Sequence, residues 1–190
     1  SLGTIITAAL LGLFCHYIMK ISLLESFLIG AVISSTDAAS VFSILRFKKL
    51  NLRYNTASLL EIESGSNDPF SYMLTITVLT LMNGNIAGIG YMMFSQIVYG
   101  ILSGVIIAIL AYLFCKKIKI SSAGFSAAFF VAVAVISYSV PTLIGGNGFL
   151  SVYITGIILG NLQLESKAEL VHFFNGTTGL MQMLLFFILG

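Results

Sequence analysis

Long apolar runs alternate with short polar segments along the whole chain of 190 residues. A transmembrane helix needs about 20 consecutive apolar residues, and most of these runs reach or approach that length. The pattern predicts seven helices, at approximately Leu2–Met19, Ser22–Leu45, Thr56–Met82, Tyr91–Cys115, Ser122–Val140, Asn147–Asn161 and Ala168–Gly190. The expected fold class is therefore an all-α polytopic membrane protein.

The amino-acid composition agrees with a membrane location. Hydrophobic residues make up 58% of the chain and charged residues only 8%, whereas a soluble domain has about 25% charged residues. A net charge of +2 is too small to indicate a nucleic-acid partner. We expect the lipid bilayer to surround the chain, as a multi-pass protein of the cell (inner) membrane.

The positions of the basic residues predict a topology. The loops at residues 46–53 and 116–119 are rich in lysine and arginine, whereas the loop between them at residues 83–85 is uncharged. Cytoplasmic loops carry more lysine and arginine than external loops. The first helix is therefore predicted to begin at the cytoplasmic side, the second to run inward and the third to run outward.

Two aspartates, Asp37 and Asp68, interrupt the second and third apolar runs. A carboxylate near the bilayer centre costs roughly 2.5 to 3.5 kcal/mol on insertion scales, so intramembrane carboxylates are usually functional. With a rise of about 1.5 Å per residue, Asp68 lies roughly 18 Å from one end of its predicted helix and roughly 21 Å from the other. This placement indicates an ion or proton pathway.

Both helices contain residues that disturb helical hydrogen bonding. The hydroxyl and carboxylate side chains of Ser34–Asp37 compete with backbone hydrogen bonds, which predicts a discontinuous helix near Thr36 and Asp37. Such breaks expose carbonyl and amide groups to ions in transporters. In the third helix Pro69 lacks an amide hydrogen, so the carbonyl of Gly65 loses its helical partner.

Four polar side chains precede Pro69 on two adjacent faces of the third helix. Ser64 and Asp68 are four residues apart and share one face, and Glu63 and Asn67 share the next. Oxygen ligands suit hard monovalent cations, whereas softer metals call for cysteine or histidine. The cluster therefore predicts a sodium or potassium site.

These residues belong to two ordered motifs. The sequence Thr-Asp-Ala-Ala-x-Val-Phe within residues 34–46 and the sequence Glu-Ser-Gly-Ser-Asn-Asp-Pro within residues 60–69 resemble the monovalent cation:proton antiporter-1 family. They are most similar to its bacterial potassium/proton (sodium/proton) antiporter branch. A weaker resemblance at Gly146–Leu150 and Gly156–Asn161 extends the likeness over essentially the whole chain.

The resemblance implies a larger antiporter fold of two inverted repeats, with two crossed discontinuous helices and a domain that forms a homodimer. Residues 1–190 would be the middle portion of this antiporter domain, with N-terminal and C-terminal spans missing. The second discontinuous helix is then expected beyond Gly190.

The resemblance also implies roles for the residues of the two motifs. The monovalent cation would bind Asp68, Ser64 and the backbone of Thr36, with Glu63 reaching it through water. Other family members with an Asn-Asp pair at this place are electroneutral, which implies exchange of one proton per monovalent cation.

Two further residues, Asn67 and Asp37, would shape the helix crossing. For Asp37 two roles remain open, capping of the half-helix after the break and direct participation in ion binding.

The predicted function is secondary active transport, in which potassium or sodium exchanges for a proton by alternating access and Asp68 is the shared site. Desolvation favours the neutral acid and a bound cation favours the carboxylate, so proton and cation compete. An uncoupled cation channel and a non-transporting membrane sensor or scaffold remain as alternatives. We expect neither an enzyme nor a cofactor, because no hydrolase or redox motif is recognisable.

Overall fold

The computed structural model describes residues 2–36, 56–84, 87–117, 123–163 and 167–189. Within these ranges the secondary structure is α-helical, and the helices are numbered here in chain order. They are α1 (Leu2–Met19), α2 (Leu23–Ile33), α3 (Thr56–Met82), α4 (Ile89–Lys117), α5 (Ala123–Leu143), α6 (Gly148–Asn161) and α7 (Lys167–Leu189). The all-α prediction is confirmed over the described residues.

The observed ends of most helices agree closely with the sequence prediction. The bounds of α1 and α3 are those predicted, and α4 to α7 begin and end within three residues of the predicted positions. The second helix differs, because α2 ends at Ile33 and the chain is no longer helical at Ser35 and Thr36. Asp37 and the predicted remainder of this helix lie outside the described residues, so a helix with two halves stays a prediction.

Two hydroxyl groups account for the end of α2. In a continuing helix the carbonyl of Ala31 would accept a hydrogen bond from the amide of Ser35. Here that carbonyl accepts hydrogen bonds from the hydroxyls of Ser34 and Ser71, each at 2.7 Å. The hydroxyl of Ser34 thus competes with the helical backbone in the way its position predicts.

Four of the described helices are long and apolar enough to cross a membrane. They are α1, α4, the Gly124–Leu143 part of α5, and α7. The helices α2 and α6 are apolar but shorter. The 27 residues of α3 are long enough to cross, but the polar segment 63–69 lies within them. The seven-span topology therefore stays a prediction.

Small residues bring α1 and α2 close together. A Cβ atom added at Gly30 would lie 2.3 Å from the carbonyl oxygen of Ala8, and one added at Gly12 would lie 2.8 Å from the ring of Phe27. No side chain fits in either place. Close approach through small residues is a common way for helices to associate in a membrane, where the hydrophobic effect does not drive them together.

The same device joins α4 to α6, with hydroxyl groups added. A Cβ atom at Gly104 would lie 2.7 Å from the carbonyl oxygen of Ser151. The hydroxyl of Thr155 donates to the carbonyl of Gly104 at 3.0 Å, and the hydroxyl of Ser103 donates to that of Ser151 at 3.2 Å. These buried polar groups therefore satisfy one another in an apolar surrounding.

The helices pack in two groups. One group is α1, α2 and α3, in which α2 contacts both of the others, and the second is α4, α5 and α6, with α7 packed on α5. The groups meet where α3 contacts α4 and α6. Large apolar side chains such as Leu10, Leu110 and Leu143 are exposed on the outside. This distribution suits a protein whose solvent is lipid.

Candidate cation site

Asn67 joins three segments at the middle of α3. Its side chain is buried, its Nδ2 donates to the hydroxyl of Thr36 at 3.0 Å, and its Oδ1 accepts a hydrogen bond from the hydroxyl of Thr4 at 2.8 Å. Thr4 lies in α1 and Thr36 follows the end of α2. The amide of Asn67 therefore uses donor and acceptor together to fix α1, α3 and the segment after α2 relative to one another.

Asp68 follows Asn67, and its side chain is exposed. One of its carboxylate oxygens, Oδ1, accepts a hydrogen bond from the hydroxyl of Ser35. A serine hydroxyl can donate to a carboxylate and can also accept from a carboxylic acid. Ser35 can therefore stay bonded to Asp68 whether the carboxyl group is charged or protonated.

The remaining predicted residues lie one turn earlier in α3. Ser64 is buried and Glu63 is exposed. The carboxylate of Glu63 points toward α1, since a Cβ atom on Gly3 would lie 3.7 Å from its Oε1. Direct hydrogen bonds thus connect the residues of the second motif to the end of α2 at Asn67 and Asp68, whereas Ser64 and Glu63 lie on the preceding turn.

Three residues in these contacts were not predicted as site residues. Thr4 bonds to Asn67, Ser35 bonds to Asp68, and Ser71 bonds to the carbonyl at the end of α2. Each is a hydroxyl residue within or beside an apolar run, and a polar group in such a place needs an internal partner. The position of these hydroxyls in apolar runs could have predicted that each has a hydrogen-bond partner, although the sequence does not identify that partner.

The chemistry of this region suits a monovalent cation. The groups around Asp68 are carboxylate, hydroxyl, amide and backbone oxygens, which are the ligands preferred by hard cations. The backbone of Ser35 and Thr36 beside Asp68 is not helical. The structure thus places an exposed carboxylate, that of Asp68, beside the end of α2.

The whole chain matches one protein family. A family model described as "Sodium/hydrogen exchanger, transmembrane" matches residues 1–190, the whole chain. The chain belongs to the sodium/hydrogen exchanger family. The predicted membership in a cation:proton antiporter family is confirmed, and the family together with the apolar helices identifies an integral membrane protein.

Curated relatives in this sodium/hydrogen exchanger family carry antiporter names. The K(+)/H(+) antiporter NhaP of Alkalimonas amylolytica is 35% identical over 193 residues, and the K(+)/H(+) antiporter NhaP2 of Shewanella sp. (strain MR-4) is 31% identical over 196 residues. Each alignment covers 100% of this chain and 33% of the relative. The chain therefore spans about a third of the length of these relatives.

A sodium-named relative is more distant. The Na(+)/H(+) antiporter NhaH of Halobacillus aidingensis is 27% identical over 204 residues, which cover 100% of this chain and 49% of that protein. All three names describe transporters and not enzymes, as the sequence predicts for this chain.

Proposed function

We propose that the intact protein exchanges a monovalent cation, potassium or sodium, for a proton across the cell (inner) membrane. The main support is the position of Asp68, an exposed carboxylate in the middle of α3. It accepts a hydrogen bond from Ser35 beside the end of α2. The antiporter names of the relatives support the same exchange. The chain would supply the middle part of a homodimeric antiporter.

Competition at Asp68 couples the two ions. A bound cation stabilises the charged carboxylate, whereas a bound proton neutralises it, so the two ions compete for the same group. Proton and cation therefore do not occupy the group together. If only the two loaded forms change their access from one side to the other, each inward proton is matched by one outward cation, without net movement of charge.

The neighbours of Asp68 would have distinct tasks in this exchange. Ser64 and the backbone of Thr36 would complete the cation ligands, and Glu63 would contact the cation through water. Asn67 would hold the helices in register through its bonds to Thr4 and Thr36. Asp37, the other predicted member of the cation/proton site, would shape the crossing from the segment beyond Thr36.

The test is exchange by the intact protein in proteoliposomes, with internal pH followed after potassium or sodium is added. We expect Asp68→Asn to abolish exchange with either ion, because the amide keeps the shape but cannot bind and release a proton. Glu25→Gln is the matched control. Its carboxylate also accepts a serine hydroxyl, that of Ser22 at 2.7 Å, but it lies at the start of α2.

The control should retain normal exchange. Normal pH-driven cation flux in Asp68→Asn would refute the proposal. A cation current without coupled proton movement in the wild type would instead identify a channel, and tolerance of neutral residues at both aspartates, Asp37 and Asp68, would identify a sensor or scaffold. The antiporter names of the relatives do not favour these two alternatives.

A further inference from the structure

Two side chains of the α6 region bond directly to the backbone of α3. The Nδ2 of Asn147 donates to the carbonyl oxygen of Pro69 at 2.9 Å, and the phenol of Tyr153 donates to the carbonyl oxygen of Ile62 at 2.9 Å. Between these two acceptors lies the segment 63–68, which contains the four site residues predicted in α3. The bonds therefore flank the candidate cation site on both sides.

The spacing of donors and acceptors allows both bonds at once. Ile62 and Pro69 are about 10.5 Å apart along a helix axis, and Asn147 and Tyr153 are about 9 Å apart. The earlier donor bonds to the later acceptor, so α6 runs antiparallel to α3. The side chains of Asn147 and Tyr153 thus hold α3 at two points about two helical turns apart.

Asn147 is fixed in its own position by several bonds. The residue is 2% exposed. Its Oδ1 caps α6 by accepting a hydrogen bond from the backbone amide of Leu150 at 3.1 Å. Its backbone amide donates to the carbonyl of Gln96 in α4 at 3.0 Å. The turn before it is tight, with Gly145 at a φ of +79°. The donor to Pro69 is therefore held by the second helix group.

Tyr153 is fixed by its ring. A Cβ atom added at Gly65 would lie 2.8 Å from Cε2 of this ring, so the glycine provides the space in which the ring lies. Gly65 is also the residue whose carbonyl loses its helical partner because Pro69 lacks an amide hydrogen. The ring thus packs where proline weakens α3.

A proline inside a helix permits a kink, whose angle depends on what contacts the helix there. In α3 the angle would set the distance between Asp68 and the end of α2. We propose that Asn147 and Tyr153 are positioning residues that fix the proline-containing segment of α3, and so determine the affinity of the Asp68 site for its cation. This inference rests on the proposed exchange function.

Two substitutions remove these bonds selectively. Asn147→Ser keeps a good helix cap, but its side chain is too short to reach Pro69. Tyr153→Phe removes only the hydroxyl and keeps the ring beside Gly65. In proteoliposomes of the intact protein, we expect each to raise the cation KM by about threefold to tenfold, with a much smaller change in kcat.

The controls are Asn161→Ser and Tyr17→Phe. Asn161 ends α6, is exposed and bonds to its own helix at the carbonyl of Ile157, and Tyr17 is 74% exposed in α1. Neither control should change KM. Potassium- or sodium-dependent thermal stabilisation of each variant gives a second, transport-independent measure of cation affinity.

An unchanged KM and unchanged thermal stabilisation in Tyr153→Phe would overturn the positioning role, whether or not Asn147→Ser folds. A lowered kcat at unchanged KM would also overturn it, because the bonds would then act in the conformational step. These results differ from failure of the proposed function, which would appear as absence of exchange in the wild type.

Discussion

The two helix groups use buried polar residues in different ways. Around α3, polar side chains bond to one another across three segments, as Asn67 does with Thr4 and Thr36. Between α4 and α6, the bond of Thr155 to the carbonyl of Gly104 accompanies close packing at a glycine. The first group gathers polar side chains beside an exposed carboxylate, whereas the second uses them to join two helices.

Buried polar residues alone therefore do not mark a binding site in a membrane bundle. Any polar group in an apolar surrounding needs a partner, so both regions contain hydrogen-bonded hydroxyls. What distinguishes the α3 region is Asp68, a group that can change its charge, next to a backbone segment that has left its helix. The difference between the regions can be tested by substitutions in each.

Among these substitutions, the largest effect is expected for Asn67→Ala. The substitution removes the bonds of Asn67 to Thr36 and to the buried Thr4, and a buried polar group left unsatisfied costs about 1–3 kcal/mol. We expect the exchange rate in proteoliposomes to fall by roughly tenfold or more. Ser103→Ala, which removes a buried bond between α4 and α6, should change exchange by less than about twofold, because it does not touch the α3 site.

Equal losses in Asn67→Ala and Ser103→Ala would abolish the distinction between the two regions.

An intermediate effect, on stability and not on cation affinity, is expected for Gly104→Ala. Its new methyl group would meet the carbonyl oxygen of Ser151 at 2.7 Å and force α4 away from α6. Overpacking of this kind destabilises a protein by about 1–3 kcal/mol. Thermal unfolding in detergent should therefore occur at a lower temperature, while the KM of the folded fraction stays unchanged.

Gly160→Ala serves as the control for this change, since a Cβ atom there would meet nothing within 4 Å. Replacement of a helical glycine by alanine at an open position should leave the melting temperature equal or slightly higher. A raised cation KM in Gly104→Ala would contradict the assignment of this contact to packing alone.

The smallest effect is expected for Ser35→Ala. It removes one hydroxyl from Asp68, and the carboxylate stays exposed to water, which replaces part of the lost bond. We expect the cation KM to rise by about threefold, measured as the cation concentration that gives half-maximal pH recovery. Ser35→Thr retains the hydroxyl and should restore the wild-type KM. An effect as large as that of Asp68→Asn would mean that Ser35 is itself an essential ligand.

The helices, and the placement of four candidate site residues on one helix, were predictable from the sequence because both depend on local patterns. The apolar runs determine where α1 and α3 begin and end, and the spacing of Ser64, Asn67 and Asp68 requires only the period of one helix. The family motifs added the expectation that these residues act together with Thr36.

The contacts between helices could not be predicted, because each depends on packing between distant segments. Thr4 is a hydroxyl residue in an apolar run, and nothing in that run identifies Asn67 as its partner 63 residues later. Asn147 was predicted as the first residue of the sixth helix, but its bond to Pro69 depends on how α6 packs on α3. The contact of Ser71 with the carbonyl of Ala31 in α2 likewise joins two distant segments.

The boundary of α2 depends on a distant residue as well as on a neighbouring one. The carbonyl of Ala31, in its last turn, accepts hydrogen bonds both from Ser34 nearby and from Ser71 of another helix. A synthetic peptide of residues 22–45 in a micelle would lack Ser71. One hydroxyl fewer would then compete with the helical backbone for the carbonyl of Ala31. The end of α2 beside Asp68 is thus stabilised in part by the docking of α3.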